Sequence, residues 1–369
     1  MNVENIRLIN FRNYKNINTS FNKNINVFVG KNAQGKTNLL EAIYICSTGK
    51  SFRTSRDKEI INFEKDEAYI GANMLIGNFD KFIEIKMARE KLKRIRVNKN
   101  ELKSYKELNT GLSVVAFCPE DLKLVKDGPQ ERRSFLDFGI SQIKPVYNYN
   151  INRYYKILFQ RNNLLKSTKL KKDLVNLLDV FDVQIAKIGT SIILERNNYI
   201  EELFTICKDI HNKLTLNKED ILLKYNSNVP ILDNKIEMEK LYLRLLKENI
   251  SRDIECGTTE VGPHRDDLLM YINDKDVKTY GSQGQQRTIV LSIKLSEVQI
   301  IKKERGIYPV VLLDDVFSEL DEERRLYLTK SFSEMQTFIT VTDAVDIKSL
   351  DKFNKSIFYI ENGKLEKRS

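Results

Sequence analysis

The sequence predicts an α/β protein with mixed sheets and an inserted helical lobe, and three observations lead to this prediction. Runs typical of buried strands occur near both ends of the chain: 25–29 alternates apolar and polar and then becomes fully apolar, and 310–313 is apolar throughout. Alternating apolar and polar residues at 68–97 indicate an antiparallel meander. Apolar residues spaced three and four apart at 173–213 indicate long helices between the strand-rich parts. The sheet domain is therefore expected to be built from both ends of the chain.

The domain boundaries follow from changes in the pattern. Residues 3–29 are predicted to form two strands joined by a turn at 13–16. After Gly128 the composition shifts to helical periodicity, and Pro129 suits the first turn of a helix. Strands are predicted to return around 268–272. We therefore assign residues 1–127 and 256–369 to a discontinuous sheet domain and residues 128–255 to a helical lobe.

The range 30–37 fits the phosphate-binding pattern G-x-x-x-x-G-K-[ST] at every fixed position. It lies between a predicted strand and a predicted helix, so backbone N–H groups and the helix N-terminus would point at polyphosphate oxygens. Lys36 is then expected to reach the β- and γ-phosphates, and the Thr37 hydroxyl to bind Mg²⁺. A glycine-rich turn that matches by chance is the alternative. The predicted nucleotide-binding residues are Gly30, Lys31, Asn32, Ala33, Gln34, Gly35, Lys36 and Thr37.

Two later segments complete the predicted site. The segment 280–287 contains Ser282 and opens a predicted helix, so it is expected to form a second anion site of the same physical kind. The apolar run at 310–313 is followed directly by Asp314 and Asp315. An aspartate at the carboxyl end of such a strand is where a Walker B carboxylate holds Mg²⁺.

The charge balance favours an acidic partner. The chain has 61 Lys+Arg against 51 Asp+Glu, a formal net charge of +10, which suits nucleic acid or an anionic surface. A generally lysine-rich proteome is the alternative. Basic residues concentrate at 86–96, where they would either meet DNA phosphates or form a solvated sheet face. Arg53, in a polar loop after the phosphate-loop helix, likewise either contacts a phosphate or is solvated.

Cysteine usage and hydropathy indicate the compartment. No apolar run approaches the ~18 residues that a membrane span requires. The four cysteines are scattered singly, which indicates neither a C-x-x-C metal or redox pair nor a disulfide framework. We therefore expect a reduced, cytoplasmic setting and no membrane partner. The cysteines are Cys46, Cys118, Cys207 and Cys256.

These motifs together resemble ABC-type ATPases and, over essentially the full chain, the RecF family of SMC/Rad50-like ATPases. Asp315 stands where the general ABC pattern has a catalytic glutamate, but an aspartate there fits the RecF family. The resemblance gives His264 and Arg265 no role, and a structural turn and a site contact are both open. The segments that carry it are FRNY at 11–14, the phosphate loop at 30–37, FCPEDL at 117–122, GPHRDD at 262–267, YGSQGQQR at 280–287 and LLDDVFSELD at 312–321.

The resemblance implies an ABC/Rad50-like P-loop ATPase head that uses ATP and Mg²⁺. Thr37 and Asp314 would hold the metal. Lys36, Asp314 and Asp315 would serve in ATP hydrolysis, which the resemblance implies is slow. The shorter side chain of Asp315 fits slow turnover, because a base must lie within ~3 Å of its water.

The resemblance also implies that ATP induces a head-to-tail homodimer. Ser282, with Gly284 and Gln285, would contact the γ-phosphate held by the second subunit. Asp321 would belong to the loop after the Walker B strand.

For function, the resemblance implies DNA repair and replication-fork maintenance. It implies binding to duplex DNA and to single-strand/duplex junctions and gaps, and a weak DNA-dependent ATPase activity. The implied partners are RecO and RecR, which would help to load the recombinase RecA, and a link to the SOS response is also implied.

Three other functions share some of these motifs. An ATPase subunit of an ABC transporter is disfavoured by the large helical insertion and the basic balance. An ATP-gated nuclease of the overcoming-lysogenisation type would need a separate acidic metal cluster, for which no additional domain remains. A passive DNA-binding protein is disfavoured because Lys36, Thr37, Asp314 and Ser282 are all present.

Overall fold

The computed structural model describes residues 1–103, 108, 111–167, 171–317, 322–331, 334–342, 350 and 353–368. The chain forms two compact units, one from Met1–Asp121 and Glu297–Ser369 and the other from Leu122–Ser296. We call them the sheet unit and the helical unit. In the described part of the chain, no helix combines the length and apolar character needed to cross a membrane.

Among its described residues, the sheet unit contains two six-stranded sheets. Its strands are β1 (Asn2–Phe11), β2 (Tyr14–Ser20), β3 (Ile25–Val29), β4 (Glu67–Ile76), β5 (Phe79–Ala88), β6 (Arg94–Val97), β7 (Asn100–Glu101), β8 (Val114–Phe117), β12 (Val310–Asp314), β13 (Thr337–Val341), β14 (Lys355–Glu361) and β15 (Lys364–Arg368). Its helices are α1 (Lys36–Thr48) and α10 (Glu322–Ser331), with short 3₁₀ helices at Asp57–Glu59 and Pro119–Leu122. The antiparallel sheet has the order β2-β1-β4-β5-β6-β7, and the mixed sheet has the order β15-β14-β3-β13-β12-β8.

The mixed sheet explains the apolar runs of the sequence. Strands β3, β8, β12 and β13 are parallel to one another and buried at every residue. A parallel strand covered on both faces is mostly apolar, which is why these runs alternate little. The buried Asn26 of β3 is an exception, and its side chain bonds to the Asn22 backbone. The carboxyl ends of parallel strands meet at one edge of a sheet, so the ends of β3, β12 and β13 come together there.

The start of the chain differs from the prediction of two strands with a turn at 13–16. Three strands are present, because Phe11 already pairs with Tyr14 across a turn of only two residues. Arg12 adopts a left-handed backbone with φ of 51° to close this turn. The prediction was wrong because Tyr14 stands among residues typical of turns, whereas in the fold its side chain is fully buried.

The helical unit holds a small sheet among its helices. Its helices are α2 (Lys123–Lys126), α3 (Pro129–Ile143), α4 (Pro145–Leu165), α5 (Lys171–Thr215), α6 (Lys235–Glu248), α7 (Ile250–Cys256) and α8 (Val277–Tyr280), with a 3₁₀ helix at Pro263–Arg265. Its strands are β9 (Ile221–Asn226), β10 (Asp267–Ile272) and β11 (Lys275–Asp276), in the order β11-β10-β9. Helix α9 (Gln283–Arg305) begins in this unit and continues into the sheet unit.

A buried arginine joins three helices of the helical unit. Helix α5 has 45 residues, about 68 Å at 1.5 Å per residue, and α4 and α6 pack against it. The fully buried Arg161 of α4 donates to Asp182 of α5 at 2.6 Å and to Asp253 at 2.7 Å. Removing one partner of such a buried pair costs about 3 to 5 kcal/mol, because it leaves a buried charge uncompensated.

The observed units differ from the predicted boundaries. The segment around 268–272, predicted to return the chain to the sheet domain, forms β10 and pairs with β9 in the helical unit. Arg132 of α3 also binds Asp267 with two hydrogen bonds of 2.6 and 2.9 Å. These contacts extend the helical unit from the predicted 128–255 to 122–296.

One glycine of the helical unit has no room for a side chain. Gly262 has φ of 138°, and a Cβ there would lie 2.0 Å from the Tyr242 hydroxyl oxygen and 2.6 Å from that of Tyr154. We expect Gly262→Ala to lower the free energy of unfolding by about 2 to 4 kcal/mol through backbone strain and overpacking. Urea denaturation measures the change. Gly128→Ala is the control, because that position is open and has negative φ, and equal losses in the two variants would contradict the prediction.

Candidate nucleotide-binding site

The loop between β3 and α1 requires glycine at both fixed positions of the motif. A Cβ on Gly30 would lie 2.4 Å from the carbonyl oxygen of Ile360. Gly35 has φ of 118°, and a Cβ there would lie 2.7 Å from the Asn13 side-chain nitrogen. Ala33 also has a left-handed backbone, with φ of 63°. The loop therefore turns tightly against its neighbours before α1 begins at Lys36.

Hydrogen bonds from distant parts of the sheet unit hold this loop. Asn13 Nδ2 donates to the Gln34 carbonyl at 2.7 Å, and the Tyr14 hydroxyl donates to the Gly35 carbonyl at 2.9 Å. On the other side, the Asn362 N–H donates to Gln34 Oε1 at 2.6 Å, and the Gly363 N–H donates to the Gln34 carbonyl at 3.3 Å. The side chain of Gln34 thus anchors the loop to the turn between β14 and β15.

Lys36 lies over the loop from which it emerges. Its ammonium donates to the carbonyls of Gly30 at 2.5 Å and Lys31 at 3.1 Å. Burial lowers the pKa of Lys36, and the charges of Asp315 and Asp314 partly offset that effect. A cation held in this way is oriented toward the centre of the loop, where phosphate oxygens would lie.

Asp314 accepts hydrogen bonds from two hydroxyl groups of other elements. Thr37 Oγ1 and Thr340 Oγ1 each donate to Asp314 Oδ1 at 2.9 Å. Burial raises the pKa of Asp314, the two hydroxyl hydrogen bonds lower it, and the charges of Glu120 and Asp315 raise it further. A hydroxyl and a carboxylate side by side form an all-oxygen donor set that suits Mg²⁺.

Asp315 has an uncommon backbone for a non-glycine residue. Its φ is 56°, and its N–H donates to Thr340 Oγ1 at 2.8 Å. The same threonine therefore fixes both aspartates at the end of β12. Left-handed residues of this kind often occur at functional sites, where the surrounding structure maintains the strain.

These groups surround one cavity of about 340 Å³. The cavity brings together Lys36, Thr37, Asp314 and Asp315, predicted from separate parts of the sequence. The sequence prediction missed Asn38 and Thr340, which also line it. The lining residues are Asn32, Ala33, Gly35, Lys36, Thr37, Asn38, Arg53, Asp314, Asp315 and Thr340.

Arg53, for which phosphate contact and solvation were both open, lies on this cavity. It donates to Asn38 Oδ1 at 2.8 Å and lies 3.8 Å from the buried Glu41 carboxylate. Glu41 also accepts two hydrogen bonds from Arg12, at 2.9 and 2.7 Å, and one from the Ser51 hydroxyl. The buried carboxylate thus ties the first turn of the chain and the loop after α1 to the same helix.

The other predicted nucleotide-binding residues lie in the helical unit at the start of α9. The Ser282 N–H donates to Gln285 Oε1 at 2.9 Å, and the Gln285 N–H donates to Ser282 Oγ at 3.2 Å. This reciprocal pair is a capping box, which satisfies N–H groups at the helix N-terminus. Ser282 and Gly284 are exposed. The predicted loop at 318–321, with Asp321, lies outside the described residues.

His264 and Arg265 form a structural turn. His264 Nε2 contacts the Thr259 carbonyl at 2.8 Å, and its Nδ1 contacts the Tyr154 hydroxyl at 2.7 Å. Burial lowers the pKa of His264 to about 4, so it is neutral at physiological pH. Arg265 donates to the same Thr259 carbonyl and to Glu260. Of the two roles left open by the sequence, these contacts favour the turn.

The sequence comparisons identify relatives that extend over the whole chain. The family model of the RecF/RecN/SMC N terminal domain matches residues 2–365. A DNA replication and repair protein RecF of Alkaliphilus oremlandii (strain OhILAs) is 46% identical over 369 residues, covering 99% of this chain and 100% of that protein. Its counterpart in Clostridium perfringens (strain 13 / Type A) is 43% identical over 366 residues, with 99% and 100% covered.

Solved structures agree with the fold. A structure of the recombination mediator protein RecF with ATP, from the RecFOR pathway, has a TM-score of 0.92 and 36% sequence identity, covering 100% of this chain and 97% of that one. An Smc head bound to the C-winged helix domain of ScpA has a TM-score of 0.57 and 17% identity, covering 100% and 98%. The predicted Rad50-like ATPase head with mixed sheets is therefore confirmed as the fold class.

Thr340 provides a test of this geometry. We expect Thr340→Val to lower the free energy of unfolding by about 1 to 3 kcal/mol, because the buried Asp314 carboxylate and the Asp315 N–H lose a hydrogen-bond partner. Thr337→Val, on the same strand, is the control, since the contact of the fully buried Thr337 hydroxyl with the described residues is a long one of 3.4 Å. Urea denaturation of both variants measures the difference. Equal losses would show that the Thr340 hydroxyl does not support the two aspartates.

Proposed function

The chain belongs to the RecF family, and we propose that it is an ATP-dependent DNA-binding protein of DNA replication and recombinational repair. The convergence of Lys36, Thr37 and Asp314 on one cavity carries this proposal. The names of the relatives support the process, since they are DNA replication and repair proteins. The relative solved with ATP, which aligns with this chain over its whole length, supports the nucleotide.

In the proposed site, the phosphate loop binds the ATP phosphates. Backbone N–H groups of the loop and the N-terminus of α1 would hold the phosphate oxygens, and Lys36 would contact the β- and γ-phosphates. Thr37 and Asp314 would hold Mg²⁺ together with phosphate oxygens and water, which is the usual way in which this ion is bound. When bound, the metal would neutralise charge that develops on the phosphates.

Asp315 is the proposed general base for ATP hydrolysis. It lines the cavity beside Asp314, and the hydrogen bond from its N–H to Thr340 fixes its backbone. Its carboxylate would orient the attacking water and accept a proton from it. Its side chain is one methylene shorter than the glutamate of the general ABC pattern, which fits slow hydrolysis that acts as a switch.

A second subunit would complete each site. Ser282, Gly284 and Gln285 lie at an exposed helix N-terminus, where N–H groups and the helix dipole favour an anion. We propose that they contact the γ-phosphate bound by the partner, so that ATP closes a head-to-tail dimer with two composite sites. ATP binding would then shift the population toward the closed dimer, and hydrolysis would reverse the shift.

The dimer is proposed to bind DNA mainly through phosphate contacts, at gaps and at single-strand/duplex junctions. The net charge of +10 supports an anionic partner. The proposal also includes cooperation with RecO and RecR in loading RecA. It further includes a DNA-dependent ATPase activity, a link to the SOS response and a cytoplasmic location. The solved relative belongs to the RecFOR pathway, which supports RecO and RecR as the partners.

Light scattering tests the central step. We expect a monomer without nucleotide and a doubled mass with ATP and Mg²⁺, because the composite site needs a γ-phosphate between the subunits. The ATP-bound form should also hold a gapped duplex more tightly than the nucleotide-free form. A mass that does not respond to ATP would overturn the dimer, leaving a DNA-binding protein whose nucleotide site has another purpose.

Two substitutions separate nucleotide binding from dimer formation. Lys36→Met should abolish the response to ATP altogether, because it removes the phosphate-contacting ammonium. Ser282→Arg should still bind ATP as a monomer but fail to dimerise, since it blocks the surface offered to the partner and leaves the phosphate loop unchanged. Titration with a fluorescent ATP analogue and light scattering measure the two steps. Lys15→Met, at an exposed lysine, is the charge-matched control for Lys36→Met. Normal dimerisation of Ser282→Arg would refute the composite site.

A further inference from the structure

A ladder of polar contacts runs along the start of α9. The last turns of α5 lie beside this helix, with Cys207 next to Ser296 and His211 Nδ1 3.0 Å from Ser292 Oγ. The next rung joins Glu219, in the loop after α5, to Gln285. Residue numbers rise on one side of the ladder and fall on the other, so the two segments run antiparallel up to the helix N-terminus.

The Gln285 side chain is held at both ends of its amide. Its Oε1 accepts from the Ser282 N–H at 2.9 Å, and its Nε2 donates to Glu219 Oε1 at 3.0 Å. A hydrogen bond to a carboxylate is stronger than one between neutral groups. Glu219 therefore selects the side-chain rotamer of Gln285 that closes the capping box.

The other carboxylate oxygen of Glu219 is held as well. His211 is fully buried, and its Nε2 lies 3.0 Å from Glu219 Oε2. Because an ionised carboxylate can only accept hydrogen bonds, this nitrogen carries the proton. Both oxygens of Glu219 thus have partners, one on α5 and one on α9.

The backbone around Glu219 is also constrained. Leu216 and Asn217, in the loop after α5, both have left-handed φ, of 53° and 56°. The Asn217 N–H donates to the Asn212 carbonyl at 2.8 Å, which fixes how the chain leaves the helix. The position of Glu219 is therefore set by the fold and not by its contact with Gln285 alone.

We infer that Glu219, supported by His211, is a positioning residue for Ser282 in the composite ATP site. Ser282 Oγ accepts the Gln285 N–H at 3.2 Å, which leaves the serine hydrogen to donate outward to a phosphate oxygen. Glu219 holds Gln285, and Gln285 holds Ser282 in this orientation. The inference rests on the proposed function, because Ser282 acts on a nucleotide only if the ATP-bound dimer forms.

The experiment compares Glu219→Ala with the wild-type chain in two measurements. ATP-dependent dimerisation should weaken about tenfold, the effect expected from losing one hydrogen bond to a charged group. The ATP affinity of the monomer should stay unchanged, because Lys36 and the phosphate loop are untouched. Asp220→Ala is the control. Asp220 is the next residue in the chain, and its exposed carboxylate pairs with Lys208 at 3.1 Å.

Glu219→Gln should restore dimerisation. The glutamine oxygen can accept from Gln285 Nε2, and its NH₂ can donate to His211 Nε2 once the imidazole proton moves to Nδ1. Ser292 Oγ can then accept from Nδ1 while its own hydroxyl donates to the Thr288 carbonyl, 2.8 Å away. If Glu219 only stabilised the fold, thermal stability and dimerisation would instead change in parallel in the Glu219 variants.

A double-mutant cycle decides whether Glu219 acts through Gln285. In a Gln285→Ala background, Glu219→Ala should cause no further loss of dimerisation, because the group it positions is gone. Additive losses, or a Glu219→Ala variant that dimerises as Asp220→Ala does, would overturn the inference. If the wild-type chain does not dimerise with ATP, the composite site itself fails, and this outcome is distinct from the other two.

Discussion

The site depends on one buried carboxylate. Asp314 lies at the end of β12, an interior strand of the mixed sheet, where burial penalises its charged form. Two hydroxyl donors, Thr37 from α1 and Thr340 from the neighbouring strand, compensate for the lost water at 2.9 Å each. These bonds tie the phosphate-loop helix and two strands to a single atom. The metal-binding groups of the proposed site are therefore in place before any ligand arrives, which limits the reorganisation that binding requires.

In the helical unit, buried arginine side chains take the place of the buried carboxylate, and polar groups from several elements again surround each charge. Arg161 and Arg196 are fully buried, and each is surrounded by carboxylates or carbonyls from several elements. Buried charges of this kind contribute little net stability, but they penalise arrangements in which a partner is missing. The cluster around Arg161 joins α4, α5 and α7, so it favours one packing of these helices. In the proposed function, a lobe with one defined packing would hold the start of α9 in a constant orientation.

In the proposed function, the two units have different roles in the ATP cycle. The phosphate loop is held by neutral hydrogen bonds from Asn13, Tyr14 and the 362–363 turn, which fix its position on the sheet unit. The start of α9 is held by contacts that include those of Gln285 with Ser282 and Glu219. In the proposed function, a loop held in this way would suit binding of the nucleotide, and the capped helix end would present Ser282 to the partner in one orientation. This division would suit the proposed switch, in which the monomer binds ATP and the dimer forms in response.

The sequence by itself determined the features that depend on neighbouring residues. The phosphate loop at 30–37, the apolar strand before Asp314 and the long helices of the middle were all predicted from local spacing, because helices, strands and loops impose short periods. Only the tertiary structure decided which distant residues meet. Thr37 and Asp314 are 277 positions apart, Gln34 and Asn362 are 328 apart, and β10 pairs with β9 although the sequence pattern predicted its return to the sheet domain. Tyr14, Thr340, Glu219 and His211 carry no local signal, since their roles depend on burial and on hydrogen-bond partners that the fold alone brings within reach.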